Sequence, residues 1–309
     1  MPEIAVHHFF GNRILEELPP EVREKILPDL FRTGVRGPDP LGIVRFWCPP
    51  LWKRLHGRSS VMHNRDAGKF FLRLSQEAKK QAGSLRNQLF SYECGFLAHY
   101  FLDSVCHPYV IYRTGLGKGF SGNHRSLEHA MDRLALERNG LPLRKRPVSR
   151  VILRKNGLPD EMKQSVDAVY GDVFGWKDAW KHINRALKDE RRFLRLTEDP
   201  KGILARFAKG GTPASLSYAE NAYANADTEN EAHREWRNPY EPDMVSCLSF
   251  AELQDRAAEE AGRAIRELYS YLWGEAPYPA SIGNRSYESG LDAEDPRNRR
   301  EPVFEVLQR

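Results

Sequence analysis

The segment from Phe90 to Ile111 constrains this chain more than any other part of the sequence. It is apolar or aromatic on nearly every helical face, which predicts a helix at the centre of the molecule. His99, Asp103 and His107 nevertheless recur in this segment at intervals of four residues. Each such step advances about 400° and rises about 6 Å, so the three side chains share one stripe of the helix.

An ionisable stripe on a buried helix needs a partner. A buried carboxylate costs several kcal/mol unless it is paired or bound to a metal. His99 and Asp103, one turn apart, can reach the same metal ion, whereas His107 lies a further turn along and is better placed for a second ion. A His–Asp–His hydrogen-bond chain without metal is the alternative. The stripe therefore favours a metal site inside a helical protein.

A second pair has the same spacing. His124 and Glu128 lie four residues apart in a predicted helix over 122–139. Such pairs are common on exposed helices, so this one supports a metal site only together with the first stripe. Asp132 continues the stripe and could accept a hydrogen bond from a ligand histidine. Histidine and carboxylate ligands without thiolates suit zinc, with manganese and iron as alternatives.

Further candidate ligands lie in sequence that we expect to be irregular. Asp39 stands in a Gly-Pro-Asp-Pro turn, which would project its carboxylate rigidly. His63 comes just before a predicted helix, and His7 and His8 come just before the first predicted helix. Taken alone, each of these residues would be interpreted as an ordinary surface or core position.

Composition excludes several classes of protein. With 40% hydrophobic and 29% charged residues, the chain has no uncharged apolar run of the ~20 residues that cross a bilayer. Its four cysteines form no CxxC pair, which argues against a disulfide scaffold and a thiolate zinc site. The net charge of +5 is too small to indicate a nucleic-acid binder but is compatible with anionic substrates. The first residues lack the features of a secretory signal, so we expect a cytoplasmic protein.

Helical periodicity dominates the organisation of the chain, and no convincing strand is present. We expect one all-α domain over residues 1–275, followed by a Pro-, Arg- and acid-rich mobile tail over 276–309. Pro108 is expected to end the central helix, and residues 41–58 are expected to be irregular. Predicted helices cover 9–18, 21–33, 66–82, 84–106, 122–139, 159–170, 176–195 and a final segment from the capping box at Ser249 to Trp273.

The candidate residues recur in a characteristic order. The motifs are His7-His8-Phe9-Phe10-Gly11, Gly37-Pro38-Asp39, Met62-His63, the run from Gly95 to Tyr109 that contains HxxxDxxxHP, and His124-Arg125-Ser126-Leu127-Glu128. This order and spacing resemble the zinc-dependent phospholipase C family, particularly its bacterial branch without a secretion signal. The later stretch His233–Pro239, followed by Ser249–Leu253, is also similar to that branch. The resemblance covers about residues 4–273.

The resemblance implies an all-α fold, shared with single-strand-specific zinc nucleases, in which two to three zinc ions lie at the base of a cleft. By this resemblance, His63, His99 and Asp103 would hold one zinc with Asp39 adjacent. His107, His124 and Glu128 would hold a second. His7, Asp103 as a bridge and the N-terminal amine would hold a third. His7 is preferred to His8 because the family histidine lies four residues before the glycine, here Gly11. If Met1 is removed, the amine would be that of Pro2.

The implied activity is hydrolysis of a phosphodiester by zinc-activated water, with Asp39 as the general base. A phospholipid is one candidate substrate. Pro40 replaces the aromatic residue of choline-cleaving relatives, and we locate no aromatic cage for choline. One alternative is a nuclease or nucleotidase of the same fold, aided by the basic stretch 141–156. Another is a non-catalytic scaffold that binds metal or a partner. The sequence does not indicate the oligomeric state.

Overall fold

The protein is all-α, as the sequence predicts, with one short β-hairpin. The computed structural model describes residues 4–117, 119–141, 157–199 and 223–308, together with positions 149, 152, 201–203, 206 and 217. The helices described are α1 (Ile4–Glu17), α2 (Pro20–Arg23), α3 (Pro28–Gly34), α4 (Pro49–Leu55), α5 (Gly57–Asn64), α6 (Ala67–Lys80), α7 (Gly83–Thr114), α8 (Ser121–Arg138), α9 (Lys163–Phe174), α10 (Ala179–Thr197) and α11 (Phe250–Trp273). Strands β1 (Trp236–Asn238) and β2 (Glu241–Ser246) form the antiparallel hairpin.

Helix α7 is the centre of the molecule. Every residue from Leu89 to Thr114 is buried, as expected for a helix that is apolar on nearly all faces. Helices α1, α3, α6, α8 and α11 all pack against it. The ionisable stripe of this helix therefore lies in the interior of the protein.

The prediction that Pro108 ends this helix is wrong, because α7 continues to Thr114. Proline removes one helical N–H and disfavours the helix interior by about 3 kcal/mol. Here the residues that follow it, Tyr109, Val110 and Ile111, are fully buried. Their packing outweighs the local cost.

Two glycines bring α3 close to α7. A Cβ atom on Gly95 would lie 1.9 Å from the carbonyl oxygen of Phe31, and one on Gly34 would lie 2.1 Å from that of Tyr92. Only residues without a side chain allow the two backbones to approach so closely. This contact places the chain after α3, which carries Asp39, beside the stripe of α7.

The first helix begins earlier than predicted. It starts at Ile4 rather than near residue 9, so His7 and His8 lie inside it. The carboxylate of Asp132, on α8, accepts the backbone N–H groups of Ala5 and Val6, both at 2.9 Å. A carboxylate from a distant helix thus caps α1, an interaction that no local pattern reveals.

Other boundaries also differ from the predictions. The helix expected over 21–33 is divided into α2 and α3, because Pro28 favours an extended Leu27. Residues 41–58, which are expected to be irregular, contain α4, part of the 3-10 turn over Asp39–Ile43 and the start of α5. His63 lies in the last turn of α5. The final helix has the predicted capping box, in which Ser249 and Glu252 bond reciprocally.

The prediction of a mobile tail over 276–309 differs from the structure, in which part of this segment packs against α7. Tyr287 is buried, and its backbone N–H donates to the carbonyl of His63 at 2.9 Å. The hydroxyl of Tyr100 donates to the carbonyl of Ile282 at 2.9 Å. The segment is polar in overall composition, but two of its apolar side chains, Ile282 and Tyr287, are buried and hold it against the core.

None of the described helices combines the length and the apolar character that crossing a bilayer requires.

We predict that Gly95→Ala strongly destabilises the protein. The added methyl would meet the carbonyl of Phe31, and backbone cannot rotate away as a side chain can. Overpacking of this kind should lower the free energy of unfolding by at least about 3 kcal/mol, measurable by chemical denaturation. Gly57→Ala is the matched control, because a Cβ there meets nothing within 4 Å. Equal stability of the two variants would contradict the close helix contact.

Candidate metal centre

Three separate segments bring four ligand-type side chains together. Asp39 begins the 3-10 turn after α3, and His63 lies in the last turn of α5. His99 and Asp103 belong to the same buried stripe of α7. Their ligand atoms all lie within 4.8 Å of one another. We call these four residues the first cluster.

The distances within the first cluster are short. Asp39 Oδ1 lies 3.1 Å from His63 Nε2 and 3.7 Å from His99 Nε2. Asp103 Oδ2 lies 3.2 Å from His99 Nε2 and 3.8 Å from His63 Nε2. Two ligands held at about 2.0–2.1 Å by a tetrahedral zinc would be about 3.3–3.4 Å apart. The four side chains are therefore spaced as ligands of one ion would be.

A second cluster lies further along α7. It consists of His107 from α7 and His124 and Glu128 from α8, again with ligand atoms within 4.8 Å of one another. The two Nε2 atoms are 3.2 Å apart, and His124 Nε2 is 3.0 Å from Glu128 Oε1. The structure therefore separates His107 from His99 and Asp103 as the helical rise predicts.

Hydrogen bonds on the far side of each ring orient the histidines of both clusters. When Nδ1–H donates to an oxygen, the ring takes the tautomer that leaves the Nε2 lone pair free for a metal. Thr114 can accept from His124, because its own hydroxyl donates to the carbonyl of Val110 at 2.7 Å. The Nδ1 contacts are His63 to Ser59 O at 2.8 Å, His99 to Val35 O at 3.1 Å, His107 to Tyr287 O at 3.2 Å and His124 to Thr114 Oγ1 at 3.2 Å.

Asp103 lies between the first cluster and His7. Its Oδ1 is 3.3 Å from His7 Nε2, while its Oδ2 faces His99 and His63. The side chain is fully buried, and neither oxygen accepts a hydrogen bond from the described residues. The two oxygens thus point toward different neighbours.

The structure distinguishes the two adjacent histidines of α1. His7 is buried, and its ring packs edge-on against that of His99 with centroids 4.2 Å apart. His8 instead turns away and pairs with Asn12 at 3.1 Å. Burial and the nearby cations Arg32 and Arg36 lower the pKa of His8 to about 4. Of the two, only His7 reaches Asp103.

The residues fit bound cations. Within the described structure, the Nε2 atoms of His7, His63 and His99 and the inward oxygens of Asp39 and Asp103 are buried without a hydrogen-bond partner. In the second cluster, the tautomers fixed by Nδ1 would point two lone pairs at each other across 3.2 Å. Both arrangements are costly unless positive charge lies between the atoms. Imidazole and carboxylate are ligands that zinc accepts.

The electrostatics keep most of these rings neutral. Burial lowers the pKa of His7, His107 and His124 well below the ordinary histidine value. Burial also opposes protonation of His63, but the carboxylates of Asp39 and Asp103 raise the pKa of that ring. Although burial opposes its ionisation, His99 and His63 hold the pKa of Asp39 below its usual range. Neutral imidazole and ionised carboxylate are the forms that bind metals.

Both clusters lie beneath an open cleft of about 550 Å³. Asp39 and His63 of the first cluster line this cleft, and all three residues of the second do so. His99, Asp103 and His7 are absent from its described lining and lie behind these residues. The site therefore has ligand-type groups that face the cleft and others that are enclosed.

Sequence reasoning missed an ion pair on the wall of this cleft. The buried guanidinium of Arg36 lies 2.5 Å from Glu190 on α10, and both residues line the cleft. It also missed the Tyr287 carbonyl that orients His107. Neither has a local signal, although the position of Arg36 three residues before Asp39 could have marked it as a neighbour of the site.

Two predictions concern residues outside the described ranges. The N-terminal amine, whether of Met1 or Pro2, is one of them. Most of the basic stretch 141–156 is the other, since only positions 141, 149 and 152 of it are described.

One comparison with known proteins identifies a family for this chain. No curated protein and no solved structure matches the chain. The family model described as zinc dependent phospholipase C matches residues 6–185, more than half of the chain. The match contains all eight candidate ligands, from His7 to Glu128. The chain belongs to the zinc-dependent phospholipase C family.

Proposed function

We propose that the protein is a zinc-dependent phosphodiester hydrolase of the phospholipase C type. The observation that carries this proposal is the pair of histidine–carboxylate clusters at the base of one cleft. Family membership points to zinc and to a phospholipid-type substrate. A polynuclear site under an open cleft is an arrangement that serves phosphoryl chemistry.

The geometry supports a division of the ligands among two to three zinc ions. Asp39, His63, His99 and Asp103 would hold the first ion, and His107, His124 and Glu128 the second. His7 and the second oxygen of Asp103, 3.3 Å apart, would contribute to a third. In this scheme Asp103 would offer one oxygen to each of two ions, which is consistent with its oxygens facing different histidines.

Bound zinc would lower the pKa of water and stabilise negative charge on a phosphoryl oxygen. Asp39 would act as the general base that accepts the proton of the attacking water. Of the two carboxylates in the first cluster, Asp39 lines the cleft whereas Asp103 lies behind it. Only Asp39 is therefore within reach of both the site and a substrate in the cleft.

Two guanidinium groups on the cleft wall are candidate contacts for an anionic substrate. Arg36 and Arg125 both line the cleft, and Glu190 holds Arg36 in place at 2.5 Å. A guanidinium fixed in this way can bind phosphate oxygens with little loss of conformational freedom. We propose that these arginines bind the phosphodiester, while apolar wall residues such as Ile43 and Leu194 contact the carbon groups next to it.

The described lining of the cleft lacks the aromatic side chains that would bind a choline head group. Phe193 is the only phenylalanine, tyrosine or tryptophan among the described residues that line the cleft. A cage for a quaternary ammonium needs several aromatic faces. We therefore propose a phospholipid without a choline-specific subsite. The nuclease alternative depended on the basic stretch 141–156, and no observation of the described residues favours it.

We predict that the purified, zinc-loaded protein cleaves a phospholipid to release a phosphorylated head group. The test offers phosphatidylcholine, phosphatidylethanolamine, single-stranded DNA and a chromogenic phosphodiester in parallel, and measures product and zinc content. Turnover of DNA alone would replace the proposal with the nuclease function. A filled zinc site without turnover of any substrate would indicate a non-catalytic scaffold.

We predict that Asp103→Asn loses zinc and activity together. The amide has the shape of the carboxylate but lacks the charge that would offset two ions, so activity should fall at least about 100-fold. Elemental analysis and phosphodiester turnover measure the two effects. Asp172→Asn is the control, because that carboxylate is exposed and, among the described residues, accepts from Arg73 away from both clusters. Full activity of Asp103→Asn would rule out the mechanism.

We predict that His7→Ala and His8→Ala differ sharply. His7 faces Asp103, whereas His8 pairs with Asn12 at the side of the helix. His7→Ala should lower zinc content by up to one ion per chain, and His8→Ala should retain the wild-type content. Equal zinc content in both variants and in the wild type would exclude a third ion held by His7.

A further inference from the structure

The chain between Asp39 and His63 carries exposed apolar side chains beside the cleft. Trp47 is 43% exposed in the turn before α4, and Leu51 is 37% exposed within α4. Pro49 and Pro50 between them are exposed as well. Exposed apolar side chains that are neighbours, rather than singly scattered, mark sites of interaction with proteins, ligands or membranes.

Cations surround these apolar side chains. No aspartate or glutamate occurs between Pro40 and Arg65, and Lys53 and Arg54 are exposed on α4. From α10, the guanidinium groups of Arg185 and Arg192 lie 4.5 Å and 5.5 Å from the centre of the Trp47 ring.

The acidic residues of the same part of α10 point inward. Asp189 is buried and accepts the backbone N–H of Arg45 at 2.8 Å. It also lies 2.9 Å from Arg185 and 3.7 Å from Arg192 and offsets part of their charge. Among the described residues, no ion pair neutralises the exposed Lys53 and Arg54 of α4. Glu190 is buried against Arg36. The outward surface of this region is therefore apolar and positively charged, a combination complementary to an anionic lipid surface.

This surface continues into the cleft. Phe46, next to Trp47, contacts the ring of Phe193 with centroids 5.3 Å apart, and Phe193 lines the cleft. On the other side, Trp52 stacks on His56 at 4.3 Å, and His56 also lines the cleft. A molecule bound at the surface would thus lie at the entrance to the site.

We propose that Trp47, Leu51, Lys53, Arg54 and Arg192 form a docking face for a bilayer that contains anionic phospholipid. Trp47 and Leu51 enter the head-group layer, because tryptophan favours the membrane interface. The three cations bind lipid phosphates, each contributing roughly fivefold to affinity. The proposal that this face binds a bilayer depends only on the surface residues, whereas delivery of lipid to the cleft rests on the proposed function.

A single-stranded nucleic acid is less well matched to the same face. Bases would need to stack on the Trp47 ring, over which Arg185 and Arg192 already lie. Insertion into a head-group layer does not require a free ring face, since the edge of the indole and the Leu51 side chain can enter it.

The experiment measures sedimentation of the full-length, zinc-loaded protein with vesicles of phosphatidylcholine, with and without phosphatidylglycerol. The wild type should bind the anionic vesicles, Lys53→Glu/Arg54→Glu should weaken binding at least ~30-fold, and Trp47→Ala about tenfold. Arg299→Glu/Arg300→Glu and Met244→Ala are matched controls that change exposed residues on other elements and should bind as the wild type does.

Activity on a dissolved short-chain phospholipid separates docking from catalysis. Both docking variants should keep this activity within about twofold of the wild type while losing activity on anionic vesicles in proportion to binding. Vesicle binding that is lost in these variants supports the docking face even if no lipid is cleaved. Three results would overturn the docking face and leave the proposed hydrolase intact. The wild type could cleave dissolved lipid without binding vesicles, the docking variants could bind vesicles as well as the wild type does, or the protein could bind single-stranded DNA instead of vesicles.

Discussion

The buried carboxylate of Asp103 is the constraint on which the rest of this structure depends. It lies on a helix that is enclosed for more than seven turns, and no described residue donates a hydrogen bond to either of its oxygens. Such a group is tolerable only beside positive charge. The Nε2 atoms of His7, His63 and His99 lie 3.2–3.8 Å from its oxygens, but none of them donates a hydrogen bond to the carboxylate. We therefore expect the stability of the core to depend on metal binding.

The site is built in two layers with different tasks. Backbone carbonyls from Val35, Ser59 and Tyr287 orient the histidines from behind, so ring tautomers are set before any ion binds. In front, Asp39 and the second cluster face the cleft, where a substrate can reach them. Ligand-type groups that are enclosed and ligand-type groups that face the cleft therefore occupy different layers of the site.

Two regions of the chain form the surroundings of the site. The C-terminal segment lies beyond the part matched by the family model, yet Tyr287 contacts both His63 and His107. The segment from Asp39 to His63 lies within that match and connects two candidate ligands. Between these two residues it contains no aspartate or glutamate. A single stretch of chain therefore links the metal site to the face that we propose contacts lipid.

The sequence by itself determined the central helix, the His99–Asp103–His107 stripe and the His124–Glu128 pair, because about 3.6 residues per turn fixes which side chains share a face. It also separated His107 from the first cluster, and family motifs singled out Asp39, His63 and His7. Only the tertiary structure decided that Pro108 stays helical, that Tyr287 covers the site, and that Arg36 meets Glu190 across 154 positions of the chain. These outcomes depend on packing between distant segments, and local periodicity carries no information about such contacts.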